Sequence, residues 1–312
     1  MVSLVNRLLS LPGMVWSVYR PRVLSYRIHR SRQPEGYVHT LSDEELEREI
    51  DRWYHSACGG HVDFAHPRSF SEKMQWLKVH DKDPRKAVLS DKLAVREVIA
   101  REVGEEVLPK VYRSWDAAAD IDFSGIDRPF LLKCNNGSGM MHRVEDPSSA
   151  DMDEIRAKAA KWLSCDFASR FFEMHYAQIT PRVYAEEWID DIEWEYQAWC
   201  FSGKAEFVAA IQNPHGTNKK QFFSPTWERL PFVSSLPEYE GTVDRPDTLP
   251  QILECSERLA KDFIFVRVDW YGTRHGLMFS EMSFTPAYGI VKWQPSDYNM
   301  KVGELIHLPI ED

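Results

Sequence analysis

The chain has 312 residues, of which 43% are hydrophobic and 28% charged, so it can build two or three lobes with cores and is not a disordered, fibrous or membrane-spanning protein. Its formal net charge of −10 excludes a nucleic-acid binder, because phosphate backbones demand clustered Lys and Arg. The 5 cysteines are scattered and never in CxxC spacing, which fits a reducing compartment and a cytoplasmic protein.

Charge is unevenly spread along the chain. Residues 1–34 hold no acid and six arginines (Arg7, Arg20, Arg22, Arg27, Arg30 and Arg32), leaving 32 basic against 48 acidic residues in the remainder. The apolar run in this segment, around Leu4, Leu8 and Leu11, is broken by Pro12-Gly13 and is too short to span a bilayer. No small-residue cleavage site of signal-peptide type stands out. Two readings are open: an amphipathic element lying peripherally on the anionic inner membrane surface, or a helix packed on the protein's own body.

Ser42 with Glu45, and Ser69 with Glu72, form capping-box patterns ahead of two helices, over Leu41–His55 and through Met74, Trp76, Leu77 and Val79. Between them lie His55, Cys58, His61 and His66, whose spacing matches no closed zinc module and is read as an irregular loop. Ser90 is expected to cap a helix over Asp91–Glu102, followed by Val107-Leu108-Pro109 and a short strand.

The stretch RPFLLKCNNGSGMMHR, Arg128–Arg143, reads as a strand over Phe130–Cys134 that delivers Lys133 into Asn135-Asn136-Gly137-Ser138-Gly139. Small residues let a backbone fold over a ligand with its amides toward phosphate, and the strand lysine adds a point charge. Neither GxxxxGK[ST] nor GxGxxG occurs, so P-loop and Rossmann readings lose their main support. Ser149 is expected to cap a helix from about Asp151 to Leu163.

Arg182–Ile189 alternates as a strand with Tyr184, Glu186 and Trp188 on one face and Val183, Ala185 and Glu187 on the other. Glu195–Phe201 and Ala205–Ile211 form a hairpin around Ser202-Gly203-Lys204, and the loop Asn213–Lys220 follows. Thr248 starts a helix through Leu259.

The most informative stretch is Val266–Gly289, VRVDWYGTRHGLMFSEMSFTPAYG. Alternation puts Arg267 and Asp269 on one strand face, while Gly272 and Gly276 mark a turn into a second strand carrying Glu281. Asp269 and Glu281 then lie nearly opposite each other, which suits a hard divalent cation such as Mg²⁺, and Arg267 adds a fork for phosphate or an oxyanion.

SFSEKMQWLK, SDKLAVREVI, VLPKVY, FLLKCNNGSG, VYAEEWI, EYQAWCFSGK and VRVDWYG…FSEMSFTPAYG follow one another over roughly residues 69–290. In this order they resemble the ATP-grasp superfamily, most closely its teichuronopeptide-biosynthesis-like (TupA-like) branch. The resemblance implies an α+β ATP-grasp fold in which two lobes, residues 86–190 and 191–312, clasp ATP after a helical N-terminal region, residues 1–85. It implies nucleotide contacts from Lys133 and Lys92, from the closing loop Asn136, Gly137, Ser138 and Gly139, and from the adenine hinge Glu186, Glu187, Trp188 and Ile189. Glu195 matches the ribose carboxylate, with Glu193 a rival. Asp269 and Glu281 match the Mg²⁺ ligands, with Ser283 where many relatives place Asn, and Arg267 matches the catalytic arginine.

The activity implied is ATP-dependent joining of a carboxylate to an amine through an acyl phosphate, with ADP and phosphate released. By analogy, the substrates are a uronic acid carboxyl and an amino acid or peptide amine in surface-polysaccharide assembly. An ATP-grasp sugar kinase and a non-catalytic nucleotide-binding module are the alternatives. The acceptor pocket is expected to draw on residues 69–80, 213–224 and 284–293.

Overall fold

A computed structural model describes residues 13–212 and 218–310. The apolar run before Pro12 and most of the loop before Lys219 lie outside the described residues.

The α-helices are α1 (Gly13–Ser31), α2 (Asp43–Cys58), α3 (Phe70–His80), α4 (Arg85–Ser90), α5 (Val95–Glu102), α6 (Met152–Leu163), α7 (Phe167–Phe171), α8 (Leu249–Ala260) and α9 (Tyr298–Gly303). Both expected capping boxes form: the Ser42 amide donates to Glu45 Oε2 at 2.9 Å and the Ser69 amide to Glu72 Oε2 at 2.8 Å. Because α2 runs on through Cys58, His55 and Cys58 are helical, and the loop begins at Gly59. His61 stacks on His55 and sits 2.9 Å from Asp51, and no group of three metal-ligating residues occurs among the described residues.

Two caps differ from expectation, because a nearby aspartate takes over the amides that serine would have bound. Ser90 ends α4, and Asp91 Oδ1 accepts the amides of Leu93 and Ala94 at 2.8 and 3.2 Å in the turn before α5. Ser149 donates its hydroxyl to Asp146, while Asp151 caps α6 by accepting the Asp153 and Glu154 amides.

A four-stranded antiparallel sheet has the order β1-β4-β2-β3, from β1 (Val111–Trp115), β2 (Phe130–Cys134), β3 (Met141–Val144) and β4 (Val183–Glu187). One face buries Phe130, Leu132, Val183 and Ala185 against Ile155 and Ala159 of α6. The period of two then turns Lys133, Tyr184 and Glu186 to the opposite face.

The larger sheet is also antiparallel, with order β10-β9-β5-β6-β7, from β5 (Trp194–Phe201), β6 (Lys204–Gln212), β7 (Lys219–Phe223), β9 (Phe265–Thr273) and β10 (Gly276–Ser283). The short β8 (Val233–Ser234) pairs with β11 (Trp293–Gln294). Tyr196, Ala198, Val266, Val268 and Trp270 pack beneath α8, whose Leu249, Ile252, Cys255 and Leu259 recur at helical spacing. Trp270 Nε1 donates to Ser256 Oγ at 2.9 Å, satisfying its one polar atom in that core. The other face of the same sheet carries Trp199, Phe201, Phe207, Phe222 and Phe265, packed on Phe70, Met74 and Leu77 of α3.

α1 lies on the body of the protein over the part whose side chains are described. His29 Nε2 is 2.9 Å from Glu49 Oε2, and Arg30 donates to the Ser169 carbonyl at 3.3 Å. No helix among the described residues is long and apolar enough to cross a membrane.

Candidate active site

On β9 and β10 the register, rather than the alternation, builds the site. Phe279 pairs with Trp270, but the next pair is Glu281 with Asp269, followed by Ser283 with Arg267, so Ser280 is an extra residue in β10. A bulge of this kind re-aims side chains. Leu277 and Phe279 face the α8 core before it, Met282 and Phe284 after it, and Glu281 and Ser283 are thereby placed on the face of Arg267 and Asp269.

Arg267 grips Asp269 with a two-nitrogen fork: Nε donates to Oδ1 at 2.7 Å and a terminal nitrogen donates to Oδ2. The same terminal nitrogen lies 3.4 Å from Glu281 Oε1 and 3.3 Å from Ser283 Oγ. The Asp269 side chain is 2% exposed whereas that of Glu281 is 33% exposed, so Glu281 is the carboxylate that an incoming ligand meets. Burial pushes the Asp269 carboxyl up to about 7 against the pull of Arg267. Burial would also raise Glu281, but Lys92 and then Arg267 hold it below its ordinary value.

Next to them on β5, Gln197 Nε2 donates to Glu195 Oε1 at 2.7 Å and reaches Asp269 Oδ2 at 3.4 Å. Gln197 Oε1 accepts from Lys220 Nζ at 3.0 Å. Burial lowers Lys220 to about 8, aided by Arg267 and opposed by Glu195 and Asp269. Glu195 thus belongs to the cluster, while its rival Glu193 is exposed and bonds through its amide to the Gly272 carbonyl at 2.9 Å. Sequence reasoning missed Gln197, although its two-residue spacing from Glu195 on a strand was the available signal.

From the smaller sheet, Lys133 Nζ bonds to Glu186 Oε2, and Arg96 lies 3.9 Å from the other oxygen of that carboxylate. Lys92 Nζ donates to the Gly137 carbonyl at 2.7 Å and lies 3.6 Å from Glu281 Oε2, joining the glycine loop to the larger sheet. Gly137 has φ 84, and a Cβ there would stand 2.3 Å from the Phe167 ring, so only glycine permits this approach. Within the loop, Asn136 is buried and accepts from Cys134 Sγ at 2.9 Å, and Ser138 faces a cavity beside Arg267 and Glu281. Gly139 also has positive φ, at 74, with open space around its Cα.

The segment after β4 is anchored by the Glu187 carboxylate, which accepts the Lys110 amide at 3.2 Å. Arg143 lies over the Trp188 ring, 4.0 Å from its centroid. Glu187, Trp188 and Ile189 line a cavity of about 510 Å³ together with Thr273 and Met278 of the larger sheet.

The profile of the TupA-like ATPgrasp family matches residues 72–307. The chain belongs to that family. No curated protein matches it. Among solved structures, the L-amino acid ligase from Bacillus licheniformis is 12% identical over 84% of this chain and 58% of its own, with a TM-score of 0.47. D-alanine–D-alanine ligase from Bacillus anthracis, complexed with ATP, is 15% identical over 70% of this chain and 65% of its own, with a TM-score of 0.43. The ATP-grasp ligase PsnB, complexed with a precursor variant, Mg and ADP, is 10% identical over 76% of this chain and 65% of its own, with a TM-score of 0.40. This ATP-grasp chain spans less than two thirds of the length of these ligases.

The donor set of this ATP-grasp protein suits a small hard cation. Mg²⁺ is ordinarily held by one or two carboxylates plus phosphates and water, and here Asp269 and Glu281 stand in register beside the Ser283 hydroxyl. Ser283 Oγ lies 3.3 Å from Glu281 Oε1, so it can orient that carboxylate. Burial is the first cause of the raised Asp269 carboxyl, and Glu195 and Glu281 nearby add to it.

Proposed function

We propose that this TupA-like ATP-grasp protein is an ATP-dependent carboxylate–amine ligase that works through an acyl phosphate. The observation that carries the reading is Lys92, whose ammonium touches both the glycine loop, at 2.7 Å from Gly137 O, and the exposed site carboxylate, at 3.6 Å from Glu281 Oε2. A phosphate chain lying between that loop and Glu281 would meet Lys92 and Lys133 on its way. In this reading the lobes of residues 86–190 and 191–312 close on ATP, the Asn136–Gly139 loop covers the phosphates, Glu186–Ile189 receive adenine, and Glu195 receives the ribose.

Asp269, Glu281 and Ser283 would hold Mg²⁺, which supplies charge neutralisation at the outer phosphates. A carboxylate does not condense with an amine at neutral pH until one oxygen becomes a leaving group. The acid's oxygen attacks the γ-phosphorus, ADP leaves, and Lys92 and Lys133 offset the charge on the phosphates. Arg267, held in orientation by Asp269, then stabilises the oxyanion formed when the amine attacks the acyl carbon. The substrate pair we favour is a uronic acid carboxyl and an amino acid or peptide amine, in surface-polysaccharide assembly. We place the protein in the cytoplasm. The exposed Leu24 and Ile28 beside Arg27 on α1 support a peripheral contact with the inner membrane surface.

ATP, Mg²⁺ and pooled uronic acids with hydroxylamine test the reaction class. ADP with a hydroxamate is expected. AMP with pyrophosphate, or a stable sugar phosphate without hydroxamate, would overturn the reading.

A further inference from the structure

We infer that Glu173 is the recognition site for the acceptor, which enters as a primary ammonium and donates to Glu173 Oε2. The inference rests on the ligase reading above and names the substrate class of the same site.

A cavity of about 220 Å³ adjoins the catalytic groups. Arg267, Glu281 and Ser283 line it together with Glu173, Tyr176 and Thr285. It is smaller than the roughly 300–1,000 Å³ that encloses a drug-sized ligand, so it fits the head of one small amine.

Glu173 is 5% exposed, and its two oxygens differ. Oε1 accepts from the Thr285 hydroxyl, whereas Oε2 is buried without any hydrogen-bond partner. A buried carboxylate oxygen with no donor is costly unless something supplies one. The nearby Lys78 does not do so, because its ammonium donates to the Phe171 and Tyr288 carbonyls at 2.9 and 2.7 Å. Those bonds instead hold the cavity wall, where Tyr288 stacks on Phe171 with ring centroids 3.5 Å apart. Ala287 and Tyr288 in that wall have φ of 50 and 59, a left-handed geometry that non-glycine residues keep only where the surroundings impose it.

Hydrogen-bonding needs decide which group each substrate meets. The Arg267 guanidinium donates to an acid or its acyl phosphate, and the Glu173 oxygen that lacks a donor accepts from an ammonium. The ammonium passes one proton to Glu173, and the freed lone pair attacks the acyl carbon. The C–N bond forms, the bond from carbon to the phosphate oxygen breaks, and the phosphate leaves with the second nitrogen proton. Glu173 returns its proton to water.

The test compares two nucleophiles at pH 7.5 with ATP, Mg²⁺ and pooled uronic acids: hydroxylamine, which is neutral, and pooled L- and D-amino acids, which carry ammonium groups. Products are quantified by mass spectrometry. Glu173→Gln is expected to keep hydroxamate within about twofold of wild type while amide falls at least tenfold, and Glu173→Asp to restore part of the amide. The hydroxamate doubles as the control for folding. Equal loss of both products in Glu173→Gln, or undiminished amide, would overturn the inference. A wild-type protein that makes neither product overturns the ligase reading itself and the inference with it.

Discussion

One face of the five-stranded sheet carries two opposite chemistries on the same strands. At one end, Trp199 of β5 and Phe265 of β9 meet Phe70 and Trp293 in an aromatic cluster, with Trp199 ring centroids 5.9 Å from Phe70 and 5.5 Å from Trp293. At the other, Glu195 and Gln197 of β5 and Arg267 and Asp269 of β9 form a charged cluster. The change takes only two residues, from Gln197 to Trp199 and from Phe265 to Arg267, because same-face neighbours on a strand are about 7 Å apart. A dry, close-packed end holds the strands so that like-charged carboxylates at the other end cannot drift apart. Stability and chemistry should therefore be separable along one face.

Trp199→Ala is the strongest way to break the contrast. It should cost about 3–5 kcal/mol in urea unfolding, since a fully buried indole leaves a cavity that rigid neighbours cannot fill. A loss below about 1 kcal/mol would mean that the aromatic end does not hold the sheet. Glu281→Gln should do the opposite, lowering kcat about 10²–10³-fold while stability stays within about 0.5 kcal/mol of wild type. Normal turnover in that variant would refute the assignment of Glu281 to the catalytic machinery.

On the smaller sheet, Lys133→Ala should weaken ATP binding about 10–100-fold in calorimetry, as loss of a hydrogen bond to a charged group does. Unchanged ATP affinity would show that Lys133 serves Glu186 alone. The mildest effect belongs to Lys220, whose folded pKa of about 8 lies below its ordinary 10.5. Between those values the unfolded chain binds more protons, so stability should rise with pH through that window by at most about 1.4 kcal/mol per unit. Lys220→Met should flatten that rise in urea titrations at several pH values, and an identical slope in both proteins would place Lys220 outside the charged cluster.

Much of this was legible from adjacent residues. The period of two assigned Arg267 with Asp269 and Tyr184 with Glu186 to common faces, and both capping boxes formed where Ser and Glu stand three apart. The bulge was also written in the chain, as Leu277 and Phe279 followed by Met282 and Phe284, a two-three-two spacing that alternation alone passes over. Ser90 and Ser149 misled because an aspartate close by competes for the same amides, and a cap pattern does not rank the two. Glu173 gave no signal, since an isolated glutamate near a short helix reads as solvated.

The sequence by itself determined the resemblance to ATP-grasp proteins, the strand faces and the hairpin that sets Asp269 against Glu281, because these depend on neighbours a few residues apart. Only the tertiary structure brought Lys92 to Gly137 across 45 residues, Lys133 to Glu186 across 53 and Thr285 to Glu173 across 112. The physical reason is that a side chain's face follows from local backbone geometry, whereas the partner it meets there is chosen by how sheets and helices pack their apolar surfaces, which no local pattern records.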